Sequence, residues 1–275
     1  MINCRGKIIE FERPIIMGIL NMTPDSFYDG GKYQSTEKAL KKAESLLSDG
    51  ADIIDIGAVS TRPQADEVSP EEELERLLPV LKSIRKYFPD SILSVDTFRG
   101  SIAKAALDEG ADIINDVYAG QYDHTMIPVI SEYKAPYIIM HMQGTPATMQ
   151  KDPQYEHVVK SILFFLSERI AVLKQAGIAD IIIDPGFGFG KTQRHNFEIL
   201  AKLEYFTTLD FPVLVGLSRK SMIYKSLDIH PQDALNGTTV LNTIALEKGA
   251  AILRVHDVKE ANELVKLHAL YRESL

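Results

Sequence analysis

The sequence holds a single cysteine, fewer basic than acidic side chains, and no apolar run approaching the ~18 residues that a membrane helix requires. One thiol, Cys4, excludes an intrachain disulfide framework and a thiolate zinc site, and it is read as a bystander near the N-terminus. With no Cys cluster and no His-x-x-x-His pattern, a structural or catalytic zinc is not expected. The balance of 30 Lys+Arg against 38 Asp+Glu gives a net charge of −8, which argues against nucleic acid as the main partner. The opening MINCRGKIIEFERP has no apolar core and no small-residue cleavage site, so no secretory signal is read there. The expectation is a soluble, cytoplasmic chain without a membrane segment.

What is present is an ordinary globular composition, 45% apolar and 25% charged over 275 residues. Eight short runs rich in Ile, Val and Leu punctuate it: Ile15–Leu20, Asp52–Gly57, Ile92–Asp96, Asp112–Val117, Tyr137–Met142, Asp180–Pro185, Val213–Ser218 and Ala250–Val255. They are near-continuous rather than alternating, which marks strands buried on both faces. Stretches of helical period separate them: Thr36–Ser48, Pro70–Tyr87, Ser101–Glu109, His124–Tyr133, Tyr155–Gln175, Asn196–Thr207, Gln232–Glu247 and Asp257–Arg272. The joints DGADIIDIG, EGADIINDV and KGAAILRV repeat one phrase, with AGIADIIID a looser copy, in which a glycine ends a helix and a buried strand follows. Eight such alternations fit a closed (β/α)8 TIM barrel in a single domain, 1–275. An open dinucleotide-binding sheet fits less well, because no Gly-x-Gly-x-x-Gly follows the first strand.

In that fold, chemistry belongs at the C-terminal ends of the strands, and every predicted strand delivers a polar group there. In order these are Asn21, then Asp55 and Ser60-Thr61-Arg62-Pro63, then Asp96-Thr97, Asn115-Asp116, His141, Asp184 to Lys191, Ser218-Arg219-Lys220-Ser221, and Arg254-Val-His256-Asp257. Any one of them could cap the following helix, but capping does not account for eight. Arg62, Arg219, Lys220, Arg254 and His256 gather on an acidic protein and point to an anionic substrate. Asp96, Asn115 and Asp184 are acceptors suited to the ring N–H and amino groups of a heterocycle. His141 is open to two readings, a satisfied core histidine or a ligand contact, and Met140 to packing or a pocket wall. The segment Pro185–Thr192, PGFGFGKT, imitates a phosphate-binding loop but lacks its first glycine. It is read as a glycine-rich loop that presents Phe189.

The segments MGILNMTPDSFYDGG, STRP, SVDT, INDV, MHMQGTPATMQ, DPGFGFGK, GLSRKS and RVHDV, spread from residue 17 to residue 258, resemble those of the dihydropteroate synthases. These are pterin-binding barrel enzymes of folate biosynthesis. The resemblance implies condensation of (7,8-dihydropterin-6-yl)methyl diphosphate with 4-aminobenzoate, release of diphosphate, a requirement for Mg²⁺, and a homodimer. Carried over by position, it implies that Asp96, Asn115, Met140, Asp184 and Lys220 hold the pterin, with Asp96, Asp184 and Lys220 catalytic. It assigns Asn21, Arg254 and His256 to the diphosphate, Asn21 also being a Mg²⁺ ligand. Thr61, Arg62, Pro63, Phe189 and Ser221 would border the 4-aminobenzoate.

One departure is local. The family's G-G-E-S-T-R-P-G reads Gly57-Ala58-Val59-Ser60-Thr61-Arg62-Pro63-Gln64 here, which puts 4-aminobenzoate affinity in question more than the reaction. A pterin-dependent methyltransferase serving a corrinoid protein would share Asp96, Asn115 and Asp184 but needs no diphosphate clamp. The Ser218–Ser221 and Arg254–His256 segments favour the synthase. A non-catalytic pterin-binding barrel is the alternative of another class, and retention of the charged rim residues speaks against it.

Overall fold

The computed structural model describes residues 1–22, 31–59, 68–145 and 148–274, with the backbone alone for 31–35. A short antiparallel hairpin, β1 (Ile2–Cys4) and β2 (Lys7–Ile9), leads into β3 (Ile15–Asn21). Then follow α1 (Gly31–Ser48), β4 (Ile53–Gly57), α2 (Pro70–Tyr87), β5 (Ile92–Asp96), α3 (Gly100–Asp108), β6 (Ile113–Asp116), α4 (Met126–Tyr133) and β7 (Tyr137–Met140). The chain continues through α5 (Val158–Gln175), β8 (Ile181–Asp184), α6 (Gln193–Ala201), β9 (Leu214–Val215), α7 (Ser221–Leu227), α8 (Leu235–Glu247), β10 (Ile252–Val255) and α9 (Val258–Glu273). Eight strands pair in parallel in the order β8-β7-β6-β5-β4-β3-β10-β9. A further parallel bridge between Ile183 and Val213 joins the two ends of that order, so the sheet closes on itself.

Alternate residues of each barrel strand face opposite ways, and the packing follows that rule. Ile16, Leu20, Ile54, Ile56, Leu93, Val95, Ile114, Ile139, Ile183, Val215, Leu253 and Val255 pack outward in one cluster with the helices. Ile15, Met17, Ile53, Ile113, Ile138, Ile182, Leu214 and Ile252 point into the barrel, where Ile2, Cys4 and Ile9 of the hairpin plug its lower end. Local signals place the helices. Ser69 caps α2 by accepting the amide of Glu72 at 3.2 Å, Pro70 opens it, and Arg85 and Lys86 sit in its last turn. The glycines of the repeated joints, Gly50, Gly110, Gly177 and Gly249, all have positive φ, as a left-handed helix stop requires.

Several boundaries differ from the sequence reading. The expected helix Asn196–Thr207 is α6 followed by a 3₁₀ turn, Leu203–Leu209, because Lys202 leaves helical geometry between them. The expected helix from Gln232 begins as a separate 3₁₀ turn, Pro231–Asp233. The seven-residue α7 and the N-terminal hairpin were not anticipated; each is too short for periodicity to reveal. Among the described residues, no helix is long and apolar enough to cross a membrane.

Cys4 is fully buried in the plug, and burial pushes its thiol up to about 12. Native protein at pH 8 is therefore expected to leave this thiol unreactive toward a disulfide reagent, and denaturant to release one equivalent. Rapid reaction of native protein would show that the hairpin does not seal the barrel.

Candidate active site

Higher in the barrel, the same inward-facing positions turn from apolar to polar. On β4, Ile53 is followed two residues later by Asp55 and then Gly57; on β5, Ser94 and Asp96 follow Ile92. Asn115 succeeds Ile113, Met140 succeeds Ile138, Asp184 succeeds Ile182, and Arg254 and His256 succeed Ile252. Sheet register then sets them side by side: Asn21 opposes Gly57, Gly57 opposes Asp96, and Asp96 opposes Asn115. Across the barrel, Met140 opposes Asp184.

Arg254 ties this floor together. Its Nε donates to Asp55 Oδ2 at 2.7 Å and its Nη2 to Asp96 Oδ2 at 3.0 Å. Asp55, wholly buried, also accepts from Ser94 Oγ at 2.6 Å and Asn115 Nδ2 at 3.2 Å. The sequence reading noted Asp55 but gave it no role, yet it orients both Asn115 and Arg254. Burial pushes the Asp96 carboxyl up to about 7; Arg254 opposes that rise, while Asp55, Asp116 and Glu73 add to it. Burial likewise raises Asp184 above the usual carboxylate range, against the pull of Lys220, the Gly186 amide, Lys191 and Arg254.

Lys220 sits at the start of α7, donates to the Phe187 carbonyl, and places its ammonium 4.9 Å from the Phe189 ring centroid. Burial lowers it to about 8, with Asp184 resisting. Ser221 is the first residue of the same helix, beside Lys220. His256 Nδ1 lies 3.0 Å from Ser218 Oγ, which in turn accepts the His256 amide at 3.2 Å.

One sequence expectation is corrected and one open reading is settled. Arg219 does not join the anion-binding group: it takes a left-handed backbone (φ 54°) that turns it away from Lys220. It forks onto Asp257 at 2.9 and 2.8 Å and also donates to the carbonyls of Pro231 and Gln232. His141 resolves to the core reading. Its position is an outward one in β7's alternation; its ring packs edge-on to Phe165 at 5.0 Å, and burial, with Lys191 adding to it, lowers it to about 3. Thr61, Arg62 and Pro63 lie outside the described residues.

Among the described residues no three His, Cys, Asp or Glu side chains gather as a metal cluster. The donor set still fits a hard cation held mainly by its substrate. Asn21 offers an amide oxygen at the top of β3, and Gly57 leaves space beside it, since an added Cβ would stand 3.3 Å from Asn21 Oδ1.

Comparison with known proteins agrees with this geometry. Residues 17–256 match the family model described as "Pterin binding enzyme". The chain is 46% identical to the dihydropteroate synthase of Haemophilus influenzae over 264 residues, 95% of each protein. The chain belongs to the dihydropteroate synthase family of pterin-binding enzymes. Within that family its fold superposes on the Yersinia pestis dihydropteroate synthase solved with a sulfonamide drug, with a TM-score of 0.93, 41% identity, and coverage of 99% of this chain and 98% of that one. It also superposes on the Xanthomonas albilineans enzyme solved with 4-aminobenzoic acid, with a TM-score of 0.92, 38% identity, and coverage of 98% and 97%.

The turn after β8 is intolerant of side chains. A Cβ on Gly186 would stand 2.0 Å from the His141 carbonyl oxygen, at a φ of 74°. The Gly186→Ala variant is expected to lose about 3 kcal/mol or more, the left-handed strain adding to a backbone clash. Urea melts compared with wild type check this, and a loss below about 1 kcal/mol would mean the turn can yield.

Proposed function

We infer that this chain is a dihydropteroate synthase, joining (7,8-dihydropterin-6-yl)methyl diphosphate to 4-aminobenzoate with release of diphosphate. The observation that carries this reading is a set of acceptors (Asp96, Asn115 and Asp184) gathered with basic side chains (Arg254, Lys220 and His256) at one end of the barrel, in a chain of this family. The acceptors match the ring N–H and amino donors of a pterin, and the cations match a diphosphate ester. Met140 supplies an apolar wall beside Asp184.

Departure of diphosphate from the methylene leaves positive charge spread over the pterin ring. Asp96 and Asp184, fixed in place beforehand, stabilise that charge in their ionised forms as it develops. Arg254 and His256 hold the leaving oxygens. Asn21 would contribute one oxygen to a Mg²⁺ ion, which supplies further neutralisation of the leaving group. The arylamine nucleophile is neutral near pH 7, so no strong general base is required of the chain. Phe189 and Ser221, flanking Lys220, suit the wall of the 4-aminobenzoate site, together with Thr61, Arg62 and Pro63.

The chain is further proposed to work as a cytoplasmic homodimer. Supporting the dimer, α8 and α9 leave Val240, Ile244, Leu267, Leu270 and Tyr271 exposed, an apolar face suited to a second copy.

The decisive assay measures diphosphate release from the pterin diphosphate with Mg²⁺, with 4-aminobenzoate present or withheld. Release coupled to dihydropteroate is the expected result; pterin binding without turnover would overturn the reading. A pH dependence follows from the same site. Below about 7, Asp96 is protonated and accepts poorly, and above about 8, Lys220 loses its charge. Affinity for the pterin diphosphate is thus expected to rise as pH increases through about 7 and to fall above about 8. Calorimetry from pH 5.5 to 9 checks this, and a flat profile would remove ionised Asp96 from pterin recognition.

A further inference from the structure

Lys191 is a second buried lysine close to the site, and nothing in the reaction uses it. Only 3% of its surface is exposed. Its ammonium donates to the carbonyls of Gly186 at 2.8 Å, Phe189 at 2.9 Å and His141 at 3.1 Å, with His141 Nδ1 also at 3.1 Å. None of these four partners is a carboxylate. Burial lowers the pKa of Lys191 well below the ordinary lysine range, with Lys220 adding to that and Asp184 opposing it, and three carbonyls and an imidazole converge on its nitrogen to satisfy the donors. The neighbouring His141 is neutral over the working range, because burial and this same ammonium keep its pKa near 3. The imidazole therefore remains an acceptor.

These contacts define the shape of the turn that follows β8. Lys191 grips it from behind at both ends, at Gly186 and Phe189. Three other side chains hold it from the flanks: Tyr155 Oη donates to the Gly190 carbonyl at 2.9 Å, Gln150 Nε2 to the Gly188 carbonyl at 2.6 Å, and Asn196 Oδ1 accepts the Gly188 amide at 2.7 Å. The pocket side of that turn is the seat of Lys220, whose ammonium meets the Phe187 carbonyl and the Phe189 ring, and whose Cδ lies 3.4 Å from the position of a Cβ on Gly188.

We propose that Lys191 is a positioning residue for the transfer reaction, a buried lysine that shapes the Gly186–Gly190 turn so that it seats Lys220 and Phe189 against the two substrates. The proposal rests on the synthase reading. Lys191 touches neither substrate; it acts through backbone carbonyls. A backbone seat shifted by about 1 Å is enough to cost about 10²-fold in rate.

The test uses full-length protein and the coupled dihydropteroate assay. Lys191→Met, close in length and uncharged, is expected to lower kcat/KM for the pterin diphosphate by about 10²-fold. Its KM for 4-aminobenzoate should rise as well, because Phe189 moves with the turn. In a Lys220→Met background the same substitution should cost less than about threefold more, since the residue it positions is gone. It should also displace the alkaline limb of the pH profile, which Lys220 governs; the groups facing Lys220 are Asp184, Arg254 and Lys191 itself. Gln150→Ala removes a grip on the same turn from the exposed side and is expected to fold normally, with a three- to tenfold loss in the same parameter and the same non-additivity with Lys220→Met. It carries the test if Lys191→Met fails to fold.

Losses that add in full to those of Lys220→Met, with an unmoved alkaline limb, would overturn the proposal and leave Lys191 a support of the fold alone. Wild-type protein that makes no dihydropteroate would instead refute the functional reading.

Discussion

The molecule depends on one constraint: in a closed barrel every strand has an inner and an outer row, and only the inner row runs from a packed plug to an open end. The outer row lies against helices from end to end, so Ile54 and Ile56, Leu93 and Val95, or Leu253 and Val255 stay apolar at every level. The inner row packs on the hairpin plug at the bottom and opens to the site at the top. Ile53 therefore gives way to Asp55, Ile113 to Asn115, Ile182 to Asp184 and Ile252 to Arg254 within two residues. Site and core are built on the same strands, two residues apart. That places the charged groups on the most rigid part of the chain, where catalytic preorganisation needs them.

That constraint also explains what the sequence revealed. Asn21, Asp96, Asn115, Asp184, Arg254 and His256 stand at or just beyond the ends of apolar runs, so strand prediction alone brought them to one rim. Asp55 was harder to value, because Ile flanks it on both sides and it lies two residues below the strand's end. Parity identifies it, since it shares the row of Ile53. The same test settles His141, which stands one residue out of phase with Ile138 and Met140 and so belongs to the helix side. The direction of Arg219 could not be read that way. It follows from a left-handed residue beyond β9, where strand periodicity has stopped. Thr61, Arg62 and Pro63 lie outside the described residues.

The buried charges at the site form a nearly balanced set. Asp55, Asp96 and Asp184 bring three carboxyl groups and Arg254, Lys220 and Lys191 three basic ones, with burial raising Asp96 and Asp184 and lowering both lysines. A balanced set limits the desolvation cost of burying six ionisable groups, since isolated charges in the interior would each cost several kcal/mol. The balance has a consequence for an incoming diphosphate ester. Arg254 already serves two carboxylates and Lys220 lies beside Asp184, so part of the positive charge that they offer the phosphate oxygens is already committed. The pterin brings donors for Asp96 and Asp184 but no anion-binding charge of its own. A divalent cation held by the Asn21 oxygen and the substrate would add the positive charge that the leaving group needs, which is the electrostatic ground for proposing Mg²⁺ in a barrel with no metal cluster among its described residues.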